Sequence, residues 1–494
     1  MMLKRQWATG APVAVVTLVA VAVIGAAPAQ RPSRTNDPEA ATVRRMAAIR
    51  DEPLLLRAFL RDMPKGGDLH SHLSGAVYAE SYLRWAAEDK LCLVIATMTL
   101  VGGTCDAGTG RPPVTAVLQN AALYNQAIDA MSMRHWNPGL NGHDHFFATF
   151  TKVGPATART GDMLAEVTSR AAAEHVSYLE LMLTPAAAAS NRIAGEAGWN
   201  PDFAQMRDRL LVAGFRDAIT SEGRQRLDSA EARQRELLRC GGVQPEAGCT
   251  VTVRYISQVG RTAAPELVFA QMLAGFELAG ADPRFVSLNL VQAEDDPAAL
   301  QNFTLHMRML DFLHHQYPNV PISLHAGELR EGLVPTEVLR YHIRQSVELG
   351  HALRIGHGAD LIYEDDPIAL LRDLAAKKVL IEIALSSTDL ILGVKDKRHP
   401  LRLYLQYGVP VALVTDDLGV ARSSHTQEFV KGVEEQGLDY ATLKRLVRNS
   451  LEHAFVDTTT KKRLQADLEG ALRRFERRTA DTADAGLSKS PIQK

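Results

Sequence analysis

Apolar runs of β type alternate with longer helical patterns along most of the chain. The helical patterns occupy residues 162–174, 264–278, 300–315, 334–349 and 366–377. The strands are predicted at 67–73, 176–183, 250–259, 285–291, 321–326, 352–356, 379–384 and 410–415. Strands that alternate with helices form parallel sheets whose faces are covered, and eight of them favour closure into a (β/α)8 barrel.

A doubly wound open sheet is the alternative arrangement of such elements. That fold commonly carries a Gly-x-Gly-x-x-Gly phosphate fingerprint between a strand and a helix, and no predicted strand of this chain does. We therefore predict an α/β protein with a (β/α)8 TIM barrel over residues 63–478. A barrel of this kind can include insertions and still form one domain at this length.

The segments outside the regular alternation predict additions to the barrel. Residues 30–62 are rich in Ala, Arg and Glu and predict a helical N-terminal extension. Residues 92–145 and 186–249 interrupt the alternation and are expected to be insertions, the second one largely helical. A last helix is predicted at 459–478, and the polar residues 479–494 are expected to form a disordered tail.

The N-terminus has the three-part layout of a secretory signal peptide. Lys4 and Arg5 precede an uncharged run at 11–27, and Ala27-Pro28-Ala29 supplies a small-x-small cleavage site. An uncleaved anchor is the alternative, because the run approaches the roughly 18 residues that span a bilayer. The cleavage site favours a signal peptide at 1–29. It predicts an exported protein, periplasmic or secreted, with no stable membrane association.

Composition narrows the class of ligand. Hydrophobic residues make up 46% and charged residues 23% of the 494 residues, which is ordinary for a soluble globular protein. The 55 Lys and Arg nearly balance the 57 Asp and Glu, so no overall field favours nucleic acid or an anionic membrane. We expect a small-molecule ligand and no nucleic acid.

The four cysteines form two local pairs, each of which encloses a Gly-rich segment. In an oxidising compartment, Cys92–Cys105 and Cys240–Cys249 are the simplest of the three possible pairings. Four free buried thiols are the alternative. A zinc site made of all four is disfavoured because no Cys-x-x-Cys spacing occurs.

Titratable side chains are concentrated at the carboxyl ends of four predicted strands. His70 and His72 are two residues apart on the first strand, so they point to one face and can hold one ion. The others are His325 and Glu328 after strand five, His357 after strand six, and Asp416 and Asp417 after strand eight. Each motif alone is compatible with solvated loop residues. Together, at one rim of an apolar barrel, they would carry a large desolvation cost unless they bind an ion or one another.

Four motifs carry a resemblance to the adenosine deaminase family. Their order and spacing match as well, and the likeness extends from about Met63 to His453. Met63-Pro-Lys-Gly-Gly-Asp-Leu-His70 is most similar to the secreted adenosine deaminase growth factor branch. The motifs are Lys65-Gly-Gly-Asp-Leu-His-Ser-His-Leu-Ser-Gly-Ala76, His325-Ala-Gly-Glu328, Arg354-Ile-Gly-His-Gly358 and Thr415-Asp-Asp417.

The resemblance implies a zinc-dependent hydrolase that converts adenosine, and its 2′-deoxy form, to the inosine-type product and ammonia. It implies that Zn²⁺ is bound by His70, His72, His325 and Asp416. It further implies that Glu328 protonates N1 of the purine, that His357 orients the attacking hydroxide, and that Asp417 hydrogen-bonds N7. The resemblance also assigns a catalytic role to Asp416, in addition to its role as a ligand, and it places His72 next to the substrate.

This chain departs from the family pattern on the purine and sugar side. Ser74 stands where many cytosolic relatives carry an Asp that binds a sugar hydroxyl. Gln292, in the run Asn289-Leu-Val-Gln-Ala-Glu294, stands where the family has a glycine whose N–H meets purine N3. Both are expected to be substrate-binding positions. The alternatives are a deaminase of another aminopurine nucleoside, or a nucleoside-binding or signalling relative that has lost turnover.

Several features are assigned minor roles. His314, His315, His342 and His351 are interpreted as surface or capping residues on helices or helix ends. His143-Asp-His145 is expected to lie near the pocket mouth and to contact the lid or the sugar. The N-terminal helical segment resembles the region through which growth-factor-type relatives dimerise, so a homodimer is expected.

Overall fold

The computed structural model describes residues 37–136 and 142–487, with side chains described to residue 481. The predicted signal peptide at 1–29 lies outside the described residues, as do residues 30–36 of the predicted extension and 488–494 of the predicted tail. Among the described helices, none combines the length and the apolar character needed to cross a bilayer.

Eight parallel strands form the centre of the fold, and each lies within two residues of its predicted bounds. Hydrogen bonds join them into two four-stranded sheets, in the order β1-β2-β3-β4 and β5-β6-β7-β8. The barrel strands are β1 Gly66–His72, β2 Val176–Leu183, β3 Thr252–Gly260, β4 Phe285–Val291, β5 Ile322–Ala326, β6 Ala352–His357, β7 Leu380–Ile383 and β8 Val411–Leu413.

The two sheets meet at two seams, and residues of the rim form both. Where β8 meets β1, the Asp416 N–H donates to the carbonyl of His70 at 2.8 Å. Where β5 meets β4, the His325 N–H donates to the side-chain oxygen of Asn289, also at 2.8 Å. With both seams closed, the eight strands form a (β/α)8 barrel. The fold prediction is therefore confirmed.

Nineteen α-helices surround or extend the barrel within the described residues. In chain order they are α1 Pro38–Ala48, α2 Pro53–Asp62, α3 Ala79–Glu88, α4 Val114–Leu118, α5 Ala121–Ala130, α6 His143–Phe150, α7 Thr160–Ala173, α8 Ala187–Ala197, α9 Phe203–Val212, α10 Phe215–Leu237, α11 Pro265–Ala281, α12 Pro297–Gln316, α13 His342–Glu348, α14 Pro367–Lys377, α15 Leu385–Leu392, α16 Leu401–Gln406, α17 His425–Glu434, α18 Tyr440–Glu452 and α19 Thr458–Leu487. Helix α1 packs against α19, so the N-terminal extension lies on the C-terminal helix.

Lys65 joins the N-terminal extension to β1. Its ammonium group is buried, and its three N–H groups are shared among the carbonyls of Leu60, Arg61, Met63 and Glu174, which lie 2.8 to 3.1 Å from Nζ. Three of these carbonyls lie at or just beyond the end of α2, where a helix leaves acceptors unsatisfied and favours a cation. This capping explains a lysine at the start of the first motif.

Two predicted helices have different bounds in the structure. Residues 334–349 do not form one helix, because Tyr341 has a φ of −149° and the helix starts afresh at His342. Glu364 accepts the N–H groups of Ile343 and Arg344 at that new N-terminus. The expectation of disorder was wrong for residues 479–487, which continue α19. Alanines interrupt the polar residues there, and the Thr479 hydroxyl donates to the Phe475 carbonyl within the helix.

Both predicted disulfides are present. Cys92 and Cys105 are joined with an S–S distance of 2.03 Å beside a small hairpin of strands Cys92–Val94 and Thr99–Val101. Cys240 and Cys249 are joined with an S–S distance of 2.04 Å after α10. Each bond therefore closes a short loop in an insertion rather than linking barrel elements.

Candidate functional site

Four side chains from three strand ends converge at the carboxyl rim of the barrel. Nε2 of His325 lies 3.0 Å from Nε2 of His70 and 3.2 Å from Nε2 of His72. Oδ1 of Asp416 lies 3.6 Å and 3.4 Å from the same two atoms of His70 and His72. All four residues are buried. They are named the rim cluster below.

The spacing of these atoms suits one shared metal ion. Zinc binds imidazole nitrogen and carboxylate oxygen at about 2.0–2.2 Å. Two ligand atoms of one ion at such distances lie no more than about 4.4 Å apart, and the four spacings of 3.0 to 3.6 Å are within that limit. In addition, Asp416 Oδ1 is buried and has no hydrogen-bond partner among the described residues. The donor set and the orphaned oxygen both fit a divalent metal ion.

Each imidazole of the rim cluster is oriented by a contact to its other nitrogen. Nδ1 of His70 lies 2.7 Å from Oε2 of Glu382, and Nδ1 of His325 lies 2.8 Å from Oδ1 of Asn289. The Gln258 amide lies 2.7 Å from Nδ1 of His72. An acceptor at Nδ1 holds the ring proton there and leaves the Nε2 lone pair for a metal. The side-chain amide of Gln258 is such an acceptor for His72 when its oxygen, rather than its nitrogen, faces the His72 ring.

Glu382 belongs to an ion network inside the barrel. Arg354 lies 2.6 Å from a carboxylate oxygen of Glu382 and 2.6 Å from one of Glu180, and all three side chains are fully buried. The guanidinium compensates the two negative charges, which would otherwise be costly in the barrel interior. The Arg354 of the third motif thus supports His70 through Glu382.

The pKa values of the three rim histidines favour a bound cation among them. Burial lowers the pKa of His72 to about 4 and, with the neighbouring His70 and His357, lowers the pKa of His325 well below its usual value. Burial opposes protonation of His70 too, but Asp416 and Glu382 outweigh it and raise the pKa of His70 to about 10. A metal ion bound at Nε2 of His70 would supply the positive charge that a proton on His70 otherwise provides next to these two carboxylates.

Glycines of the motifs make room for the rim side chains. A Cβ at Gly356 would lie 2.5 Å from the His70 ring, and a Cβ at Gly75 would lie 1.4 Å from Asp417 Oδ1. Both distances are too short for real contacts. The small residue at each position is therefore a packing requirement of the site.

Glu328 and His357 stand beside the rim cluster. Glu328 Oε1 is 3.7 Å from Nε2 of His357, and one ligand atom from each of His357, His70, His325 and Asp416 lies within 4.8 Å of the others. Both nitrogens of His357 are buried without a hydrogen-bond partner among the described residues. The backbone at His357 has a φ of +70°, a strained value that orients its ring at the strand end.

The environments of Glu328, His357 and Asp417 favour their neutral forms. Burial and the negative charge of Asp416 raise the pKa of Glu328 to about 8. Burial lowers the pKa of His357 to about 4. Burial and Asp416 raise the pKa of Asp417 well above its usual value. The site thus holds a carboxylic acid and a neutral imidazole side by side, the pairing that acid–base catalysis requires.

The two positions that depart from the family pattern lie near the rim. Gln292 follows β4 with a φ of +81°, a conformation natural to glycine. Its side-chain oxygen accepts from the Thr262 N–H at 3.2 Å and from the Thr262 hydroxyl at 2.8 Å. Ser74 is half-buried, and its carbonyl accepts from the Tyr82 hydroxyl at 2.7 Å.

Several residues of the site were not identified from the sequence. Ser387 donates to Asp416 Oδ2 at 2.6 Å, and Glu294 accepts the N–H groups of Gly327 and Glu328. Glu382 offered a signal, since it is a charged residue within an apolar predicted strand. Ser387 offered none, because a serine in the first turn of a helix such as α15 is ordinary.

The interpretation of His342 as a surface or capping group was wrong. Its ring is fully buried, and Nδ1 lies 2.6 Å from Glu294. His143 is also buried, with Nε2 2.8 Å from Asp295 and Nδ1 2.9 Å from Asp144. It connects α6 to the loop after β4 and joins no metal-ligand group within the described ranges 37–136 and 142–487.

Comparison with known proteins gives the site a family context. A profile of the adenosine deaminase family matches residues 121–470, a range that begins after β1. Adenosine deaminase from Enterococcus faecalis is 32% identical over 154 residues, which are 31% of this chain and 42% of that protein. Adenine deaminase from Sinorhizobium medicae is 32% identical over 148 residues, which are 30% of this chain and 42% of that protein. The matched region spans less than half of these curated relatives.

A solved structure extends the likeness to nearly the whole barrel. An amidohydrolase from Burkholderia ambifaria, solved with bound Zn, superposes with a TM-score of 0.52 at 17% identity. The superposition covers 86% of this chain and 95% of that chain. At this identity the likeness shows a shared fold.

Proposed function

Because this chain belongs to the adenosine deaminase family, we propose that it is a metal-dependent hydrolase that deaminates adenosine, and 2′-deoxyadenosine, to the inosine product and ammonia. The observation that carries this proposal is the rim cluster. It combines four convergent ligand atoms with a raised-pKa acid, Glu328, and a neutral imidazole, His357.

Zn²⁺ is the proposed metal, with His70, His72, His325 and Asp416 as its ligands. The three imidazoles and one carboxylate suit zinc, and the Burkholderia ambifaria neighbour was solved with bound Zn. The chemistry that zinc supplies is acidity, because it lowers the pKa of water to about 7.

The residues beside the metal divide the proton transfers between them. His357 is neutral and accepts a hydrogen bond from the attacking water, which it orients toward C6 of the purine. Glu328 is protonated and donates to N1 as C6 becomes tetrahedral. The water gives one proton to His357 as its oxygen bonds to C6. The amino group then takes that proton and leaves as ammonia when the C6–N bond breaks, and the remaining hydroxyl proton on C6 returns to Glu328. One water is consumed for each amino group released.

Residues on the purine side are proposed to hold the substrate. N7 of a purine is an acceptor, so Asp417 must carry a proton to bind it, and its raised pKa agrees with that role. Gln292 retains the left-handed backbone of a glycine with its side chain turned to Thr262, which leaves its N–H as the proposed partner of N3. Ser74 is the proposed neighbour of the sugar, with a shorter reach than Asp.

The test is a substrate comparison on the purified, zinc-loaded protein. Adenosine, 2′-deoxyadenosine and adenine are each followed by the change in ultraviolet absorbance on deamination. We expect turnover of adenosine, and the Glu328→Gln variant should bind zinc without comparable turnover. Turnover of adenine alone would assign a base deaminase, since a relative with that name is 32% identical. No turnover of any aminopurine by the zinc-loaded protein would favour the binding or signalling alternative.

Export is proposed as the location of this activity. The signal-like N-terminus predicts it, and two disulfides agree with an oxidising compartment. Detection of the mature chain, beginning near Gln30, in the periplasm or medium tests the proposal. An uncleaved chain that remains in the cytoplasm would contradict it.

A homodimer through the N-terminal helices is proposed as the assembly state. Leu54 and Leu55 on α2 are 85% and 49% exposed, and Val43 on α1 is 38% exposed. Light scattering after size-exclusion chromatography should give twice the chain mass, and Leu54→Asp should reduce it to that of one chain. A monomeric parent protein at micromolar concentration would contradict this assembly.

A further inference from the structure

A second cluster of histidines lies at the opposite end of the barrel from the rim cluster. His351 immediately precedes β6, and His314 and His315 lie in the last turn of α12, shortly before β5. The amino ends of parallel strands meet at one end of a barrel, so these residues share its base. Together with Asp311 of α12, they are named the base cluster.

Three side chains of the base cluster have the geometry of metal ligands. Nε2 of His351 lies 2.7 Å from Oδ1 of Asp311, and Nδ1 of His315 lies 3.4 Å from the same oxygen. One ligand atom from each of the three lies within 4.8 Å of the others. Asp311 and His315 are four residues apart on the helix, which places them on one face.

His314 stabilises the position of His351. The two rings are stacked with their centroids 4.3 Å apart and their planes 20° apart. The backbone at His351 has a φ of +55°, so the turn before β6 presents its ring toward α12.

We propose that Asp311, His315 and His351 form a peripheral binding site for a divalent transition-metal ion, separate from the rim cluster. Two imidazoles and one carboxylate select Zn²⁺, Ni²⁺ or Cu²⁺ over Mg²⁺ and Ca²⁺, which prefer oxygen ligands alone. The side chains of His315, Asp311 and His351 are 66%, 37% and 30% exposed. The site is therefore open, and water completes the coordination of the ion.

The fit requires only small adjustments. The Asp311–His351 hydrogen bond is replaced when the ion takes the place of the shared proton. Nδ1 of His315 contacts the backbone carbonyl of Asp311 at 2.7 Å, and the exposed ring must give up that contact to turn a nitrogen toward the ion. His314 is face to face with His351 and acts as a positioning residue, not a ligand.

The test counts metal ions on the full-length protein with one Zn²⁺ already bound per chain. A titration with Zn²⁺ against a chromophoric chelator should show a second equivalent with micromolar affinity. His315→Ala and Asp311→Asn should each weaken that equivalent at least tenfold and leave the first unchanged. His135→Ala is the matched control, because His135 is also exposed and also lies beside an aspartate, Asp129.

Two results would overturn the proposal. One is a parent protein that binds a single equivalent under these conditions. The other is a second equivalent whose affinity is the same in His315→Ala, Asp311→Asn and the parent. Because His315 is on the surface, His315→Ala is expected to fold, and an unchanged circular dichroism spectrum verifies that. His314→Phe keeps the stacked ring and should retain the second equivalent.

Discussion

The rim cluster and the base cluster use the same types of side chain in different surroundings. At the rim, three histidines and an aspartate are buried, and each imidazole has a second contact to Glu382, Asn289 or Gln258. At the base, two histidines and an aspartate are partly exposed. There the support is a stacked ring, His314, and the backbone carbonyl that His315 contacts at 2.7 Å.

Under the two proposals, burial is what distinguishes the catalytic metal site from the peripheral one. Burial makes charges at the rim costly, so the protein must fix every tautomer and compensate every carboxylate, as Arg354 does for Glu382 and Glu180. In the same surroundings Glu328 keeps its proton at neutral pH. The carboxyl group of the base cluster, Asp311, is partly exposed and is itself a proposed ligand, so we expect the cluster to bind an ion without turnover.

Removal of one rim ligand should have the largest effect. His325→Ala takes away the nitrogen nearest to both other imidazoles, so we expect a loss of zinc and of roughly 10³-fold or more in kcat/KM. His351→Ala at the base is the matched control and should leave the rate unchanged. Zinc content and steady-state rates measure both, and a variant of His325 that retains zinc and turnover would refute the ligand assignment.

Removal of the acid should separate binding from chemistry. Glu328→Gln keeps the shape of the side chain, so zinc should remain bound while kcat falls by about 10²–10⁴-fold. The acid works only when protonated, so the parent's rate should decline as the pH rises through the raised pKa of Glu328. The Gln variant should lack this decline. Equal loss of zinc and rate would instead make Glu328 a metal ligand.

Removal of an outer partner should have an intermediate effect. Asn289→Leu leaves Nδ1 of His325 without its acceptor, and we expect zinc affinity to fall by about 10–100-fold. Asn289→Asp restores an acceptor and should keep the affinity near that of the parent. Competition with a chelator gives the values. An unchanged affinity in Asn289→Leu would show that packing alone orients His325.

The smallest effect is expected at the base. Asp311→Asn weakens a partly exposed hydrogen bond with His351, so the free energy of unfolding without added metal should change by at most about 1 kcal/mol. Chemical denaturation measures it, and kcat/KM should not change. A larger loss would mean that the base cluster is part of the structural core.

Local patterns were sufficient for the strands and for most of the rim residues. Each barrel strand was predicted within two residues, and most were recognisable because a fully buried parallel strand is a short apolar run. The polar strand β1 is the exception. Helix ends were predicted less well. The break at Tyr341 depends on Glu364, a distant residue that accepts the N–H groups of the new helix.

The contacts between distant strands could not be predicted. Asn289 begins the run 289–294 that was identified in the sequence, but its contact with Nδ1 of His325 depends on β4 lying next to β5. His314, His315 and His351 were interpreted as surface or capping residues. His351 lies 36 positions after His315 in the chain, and only the barrel base brings it next to the other two.

The sequence by itself determined the fold class and the set of titratable residues at the strand ends, and it favoured the two disulfide pairs that the structure contains. These follow from periodicity and spacing, which are local properties of the chain. Only the tertiary structure decided which atoms meet, because the 3.0 to 3.6 Å spacing of the rim cluster arises where β1, β5 and the end of β8 converge. The same packing decides the partners of each imidazole. Burial then sets the pKa of Glu328, which depends on the whole surroundings of the carboxyl rather than on its neighbours in sequence.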